Sequence, residues 1–114
     1  MAVFTIDYFE LQSTDLSASK GFFGDAFGFG HTDYGPGYSE ITEAGILGGL
    51  NAEPEEGVAT SVIGIRTDDI AAGEAAITAA GGTIVIPTYD YPGGQRLFFR
   101  EPGGAVLMLY CPSA

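Results

Sequence analysis

Hydrophobic and polar positions follow two alternating patterns along the chain. Residues 3–11 (VFTIDYFEL) are aromatic and β-branched and run into a Gln-Ser-Thr-Asp step, which predicts a strand. Asp15 then stands where a helix N-cap belongs. Leu16, Phe22, Phe23, Ala26 and Phe27 recur behind it at helical spacing, as a stripe meant for a core. Gly28 and Gly30 end that helix. The order then repeats. Residues 61–66 (SVIGIR) predict a strand, Asp68 or Asp69 caps an alanine-rich helix over roughly 69–80, and Gly81-Gly82 stop it. Strands follow at 83–87, 95–100 and 105–110, separated by the turn signals Tyr91-Pro92-Gly93-Gly94 and Glu101-Pro102-Gly103-Gly104. The first half should hold the same three strands, shorter and richer in glycine, around 32–34, 38–43 and 46–50.

The two halves align as a repeat. Asp15 lies over Asp69, Leu16 over Ile70, Ala18 over Ala72, Ala26 over Ala80 and Gly28 over Gly82, a constant offset of 54 in a chain of 114 residues. The expected architecture is α+β: two βαβββ modules, one over 1–52 and one over 60–114. The polar, acidic, Pro- and Gly-bearing stretch 51–59 (NAEPEEGVA) links them. A helix should cover one face of each sheet. The other faces would enclose a concave cup, the usual setting for a small-molecule site.

Charge narrows the partners. Four Lys and Arg against fifteen Asp and Glu give a net charge of −11, which argues against nucleic-acid backbones and anionic membrane surfaces. The single cysteine, Cys111, excludes an intramolecular disulfide and a multi-cysteine zinc site. The opening MAVFTIDYFE lacks the basic start and apolar core of a signal peptide, so a cytoplasmic domain is expected.

Three segments in order carry a resemblance: FELQSTDLSASKGFFGDAFGF (9–29), VIGIRTDDIAAGEAAITAAGGTIVIP (62–87) and FFREPGGAVLMLYCP (98–112). Together they resemble the vicinal oxygen chelate superfamily, the glyoxalase, bleomycin-resistance and extradiol-dioxygenase group. The resemblance implies the two-module fold and, in the enzymes, a divalent metal held by His, Gln or Glu from the first and last strand of each module. It places those positions at Tyr8, at Val62, at Met108 and near Gly48 or Gly49. None of these is a usual protein ligand for such a metal. No metal and no cofactor are therefore expected, and His31, expected in the loop after the first helix, is the only imidazole.

The strand parity that the resemblance implies sends Tyr8, Glu10, Val62, Gly64, Arg66, Val106, Met108 and Tyr110 toward the cup. Phe9, Leu11, Ile63, Ile65, Leu107 and Leu109 then face the helices. Glu10 is either a partly buried carboxylate that acts as a general base or pairs with a ligand cation, or a solvated strand-end carboxylate paired with Arg66. Arg66 is either a bidentate holder of a ligand carboxylate or a surface partner of Asp68 or a glutamate. Tyr89, Tyr91 and Phe98, on or beside the loop before a strand, could wall a flat ligand or simply pack. Tyr34-Gly35-Pro36-Gly37-Tyr38 is either a mobile rim or a plain turn.

The candidate ligand-binding set is therefore Tyr8, Glu10, Val62, Arg66, Tyr89, Tyr91, Phe98 and Met108. The leading reading is a metal-independent protein, expected as a homodimer, that binds an aromatic or cationic small molecule such as a drug or antibiotic. A lyase, isomerase or dioxygenase using Glu10 and Tyr8, or an unrecognised metal site, is the alternative. A regulatory module whose cup is filled by its own side chains is the third.

Overall fold

A computed structural model describes residues 2–53 and 55–113. The elements run β1 (Phe4–Gln12), α1 (Leu16–Phe27), β2 (Gly30–Asp33), β3 (Tyr38–Thr42) and β4 (Leu47–Asn51). They continue as β5 (Val62–Thr67), α2 (Ile70–Ala79), β6 (Thr83–Tyr91), β7 (Gly94–Arg100) and β8 (Val106–Pro112). This is the doubled βαβββ order. The chain divides into one unit of Tyr8–Ser61 and another of Met1–Asp7 with Val62–Ala114, here the first and second module. The first seven residues thus segregate with the second module. Val3 shows the tie, its amide donating to Asp68 Oδ1 at 2.9 Å.

In the first module β1 pairs parallel with β4, β4 antiparallel with β3, and β3 antiparallel with β2. In the second, β5 pairs parallel with β8, β8 antiparallel with β7, and β7 antiparallel with β6. Each parallel pair is joined through a helix, as parallel strands require. The helices begin alike. Asp15 and Asp69 each sit at φ −150°, ψ 94° and accept the amide of the third residue on, Ala18 and Ala72, at 3.0 Å. Gly28 ends α1 in the left-handed region at φ 73°. Ala80 ends α2, and Gly81 follows at φ 97°.

The second module's core lies between α2 and the sheet. Leu97, Phe99 and Leu109 are buried there, with Ile65, Ile70, Ile77, Ile84 and Leu107 packed against them. The parity expected for Ile65, Leu107 and Leu109 is the one observed. Gly73 is the buried residue of α2, and a Cβ there would collide with Leu109. The helix comes this close to the sheet because that position is glycine.

Several expectations fail. No residue of α1 is buried, although its apolar stripe reads as core, and Phe22 and Phe27 are 58% and 60% exposed. Their rings pack on one another instead. Phe22 meets Phe23 and Phe27 edge-on at 5.3 and 6.0 Å, and Phe23 stacks with Phe29 at 6.4 Å. His31 lies in β2 opposite Ile41, not in a loop, because Gly30–Asp33 is recruited into the hairpin with β3. Asn51 is the buried end of β4 rather than linker. Pro54, from the same stretch, lies outside the described residues. Strand β6 runs on to Tyr91, well past 87. Register irregularities and the module-edge position accommodate Pro87, which has no amide to donate.

Candidate functional site

In the first module, Lys20 of α1 donates to Asp33 Oδ1 at 2.9 Å, and Ser39 donates to the same oxygen at 2.6 Å. Ser39 and Ile41 therefore face the helix, and Tyr38 and Glu40 face away from it. The Ser39 hydroxyl, and after it Lys20, hold the Asp33 carboxyl below the usual carboxylate range.

The face away from α1 is polar. Tyr8 and Tyr38 share a hydrogen bond between hydroxyls at 2.7 Å. Gly49 makes room for them, since a Cβ there would strike Tyr38 Oη and approach Tyr8 Oη to 2.8 Å. Glu10, two residues along from Tyr8, is 2% exposed, and its Oε1 accepts from Asn51 Nδ2 at 2.9 Å. Asn51 also donates to the Glu56 carbonyl at 2.9 Å and accepts the Glu53 amide at 2.8 Å. One buried amide thus ties the carboxylate to the start of the 51–59 segment. Glu10 is a buried, hydrogen-bonded carboxylate, not the solvated strand-end group that was one of its two expected readings.

The second module's face away from α2 carries a cross-strand row. Tyr89 of β6 pairs with Arg96 of β7, Arg96 with Tyr110 of β8, and Tyr110 with Arg66 of β5. Phenol and guanidinium alternate over four strands. Arg96 is 4% exposed. Its Nε donates to Tyr89 Oη at 2.7 Å and its Nη1 to Met108 Sδ at 3.5 Å. Its guanidinium carbon lies 5.6, 5.0 and 5.2 Å from the ring centroids of Tyr89, Tyr91 and Phe98, within cation–π range. Tyr110 donates to Asp7 Oδ1. Burial first, and then the Asp7 bond, push the Tyr110 phenol above its ordinary range.

Of the residues singled out in the sequence, Tyr8 and Glu10 fall on one face of the first module. Val62, Arg66, Tyr89, Tyr91, Phe98 and Met108 fall in the second. Tyr89 and Tyr91 belong to strand β6 itself rather than to a loop. Phe98, Met108 and Val62 are 1%, 2% and 6% exposed, so they are packed interior. Arg66 is exposed, and the Asp68 expected to pair with it accepts the Val3 amide instead. Sequence reasoning missed Arg96 and Asn51, and read Tyr38 only as the end of a rim or turn. Arg96 and Asn51 carried a usable signal, as a charge and an amide inside strand patterns that otherwise read as core. Tyr34–Tyr38 closes the β2–β3 hairpin as a turn, with the Tyr34 amide on the Tyr38 carbonyl at 3.0 Å. An apolar cleft of about 290 Å³ lies on the other side of the second module, between α2 and the sheet. Phe4, Gly73, Ala76 and Phe99 help line it, and none of the candidate residues does.

The glyoxalase/bleomycin resistance protein/dioxygenase superfamily model matches residues 5–109. The chain belongs to that superfamily. Its topology agrees with solved members. Methylmalonyl-CoA epimerase from Mycobacterium tuberculosis superposes with a TM-score of 0.73 at 14% identity, over 96% of this chain and 88% of that one. The Mn(II)-bound glyoxalase from Novosphingobium aromaticivorans gives 0.65 at 20% identity, over 93% and 38%. At these identities the likeness is one of fold. CFP32 of Mycobacterium bovis, a glyoxylase by provisional name, is 29% identical across 93% of this chain. The chain spans 45% of that protein's length.

Among the described residues, no three His, Cys, Asp or Glu side chains gather into a metal-holding group. No helix among them is long and apolar enough to cross a membrane.

Proposed function

We propose that this superfamily member is a metal-independent small-molecule-binding domain, acting as a cytoplasmic homodimer. The observation that carries the reading is the chemistry at the superfamily's metal positions. Val62 offers no donor at all. Met108 offers only a thioether, soft where a divalent ion of the manganese class prefers oxygen and nitrogen. Its sulfur is already engaged by Arg96. Tyr8 shares its hydroxyl with Tyr38. A divalent metal does not fit this donor set, and no chemical step is assigned to one. What the two faces offer instead is binding chemistry: paired phenols beside a held carboxylate in one module, and a phenol–guanidinium row in the other.

The filled-interior reading draws on one specific observation, the near-complete burial of Phe98, Met108, Val62 and Arg96. Native mass spectrometry of protein purified without chelator separates the two. A stoichiometric organic mass supports the binding domain. A bare chain that also shows no response to a library of small aromatic acids and amines supports the filled module. A glyoxalase- or epimerase-like activity abolished by Glu10→Gln would displace both.

A further inference from the structure

We propose that the apolar cleft between α2 and the sheet is a second binding site, and that it takes a small amine carrying an aryl or alkyl tail. The cleft lies on the other side of the second module from the candidate residues, and it goes beyond the binding chemistry assigned to them. Its volume is about 290 Å³, and of the residues lining it Glu101 alone is charged. An apolar cavity of about 150 Å³ already takes up benzene, so this space suits a ring with a short side chain. The space exists because α2 presents Gly73, Ala76 and Ala80 to it, where larger side chains would fill it.

The two ends of the cleft differ. At Gly73 a Cβ would meet Leu109 and the Phe4 ring, so that end is apolar. Where α2 closes, a Cβ on Gly81 would lie 3.9 Å from Pro102, the neighbour of Glu101. Glu101 is held there by its own turn: Oε2 accepts the Gly103 amide at 2.5 Å and Oε1 the Ala105 amide at 3.2 Å. These bonds fix the carboxylate without neutralising it, and they use two of its roughly four acceptor positions. Among the described residues Glu101 forms no ion pair. The last turn of α2 adds the negative end of a helix dipole, and no basic residue stands in that turn. An apolar groove that ends in uncompensated negative charge, in a chain of net charge −11, is complementary to a monocation with an apolar tail. A carboxylate or phosphate ligand would meet repulsion at the same end.

The test titrates phenethylamine into the full chain at neutral pH and follows amide chemical shifts. Phenethyl alcohol lacks the charge, hydrocinnamate reverses it and ethylamine lacks the ring. Phenethylamine is expected to bind more tightly than these three comparators, with its largest shifts at Gly73, Ala76 and Gly82. Added salt should weaken the amine and leave the alcohol unchanged. Glu101→Gln should weaken the amine about threefold or more and spare the alcohol. Ala76→Leu, a good helix former at an exposed position, should fill the cleft and abolish both without lowering the unfolding midpoint. The site is overturned by shifts absent from the cleft, or by an alcohol or acid that binds as tightly as the amine. Amine affinity that neither salt nor Glu101→Gln changes overturns it too. Binding at the candidate residues fails separately, through a bound metal or a filled interior. Amine shifts confined to Tyr8, Tyr38 and Arg96 would sink the cleft and leave that binding intact.

Discussion

The two modules start each helix in the same way and use the two helices differently. Asp15 and Asp69 share backbone angles and a 3.0 Å capping bond. Beyond the cap, α1 carries phenylalanines and buries none of its residues, whereas the alanine-rich α2 buries Gly73 against Leu109. Hydrophobicity alone therefore does not decide what packs. A small surface that lets backbone approach the sheet does more than large rings that satisfy one another. The faces away from the helices diverge too. One holds Tyr8, Tyr38, Glu10 and Asn51. The other holds two tyrosines and two arginines in alternation. A duplicated topology carries a buried carboxylate on one such face and guanidinium groups on the other.

The contrast breaks most visibly through core deletions. Leu97→Ala, at a fully buried position, should cost about 2–5 kcal/mol. Phe22→Ala on α1 should stay within about 1 kcal/mol. Chemical denaturation of the two variants checks this, and similar losses would mean that α1 is a packed helix after all. Asn51→Ala removes a buried donor from Glu10 and releases the Glu56 carbonyl, for an expected loss of about 1–3 kcal/mol. The cap variants Asp15→Ala and Asp69→Ala should each cost about 1 kcal/mol, and by nearly equal amounts, since their geometry is shared. A wide difference would show that the two caps are alike only in shape.

The smallest effects are titrations. Tyr110 has a folded-state pKa raised above its unfolded value near 10. Its contribution to stability is therefore complete below pH 10 and is lost as pH climbs toward the folded value. An ultraviolet titration should show a tyrosine ionising later than the rest, absent in Tyr110→Phe. Asp33 has a lowered pKa, so whatever it contributes holds above the unfolded carboxylate value and fades as pH falls through the folded one. Ser39→Ala should return the Asp33 carboxyl toward its ordinary range in a carbon-detected titration.

Much of the fold was legible. The repeat, both caps, the Gly28 stop and the helix-facing parity of Ile65, Leu107 and Leu109 all follow from local patterns of 2 and 3.6 residues. The candidate site was legible in part. Tyr8, Glu10 and Arg66 stood out by type and parity. Arg96 did not, because its neighbours Leu97, Phe98 and Phe99 make the segment read as plain core. The alternation Tyr89–Arg96–Tyr110–Arg66 joins residues from four strands, and only the pairing registers reveal it. The exposure of Phe22 and Phe27 was hidden for a similar reason. A helical stripe states which residues share a side, not whether the sheet receives them.

Metal-independence is the central claim, and elemental analysis tests it most directly. Chelator-free protein would be dialysed against low-micromolar manganese, nickel or zinc, and the ions retained per chain counted. The account expects far less than one ion per chain for each metal. One tightly held ion per chain would contradict it and return the domain to the metal-dependent enzymes of its superfamily.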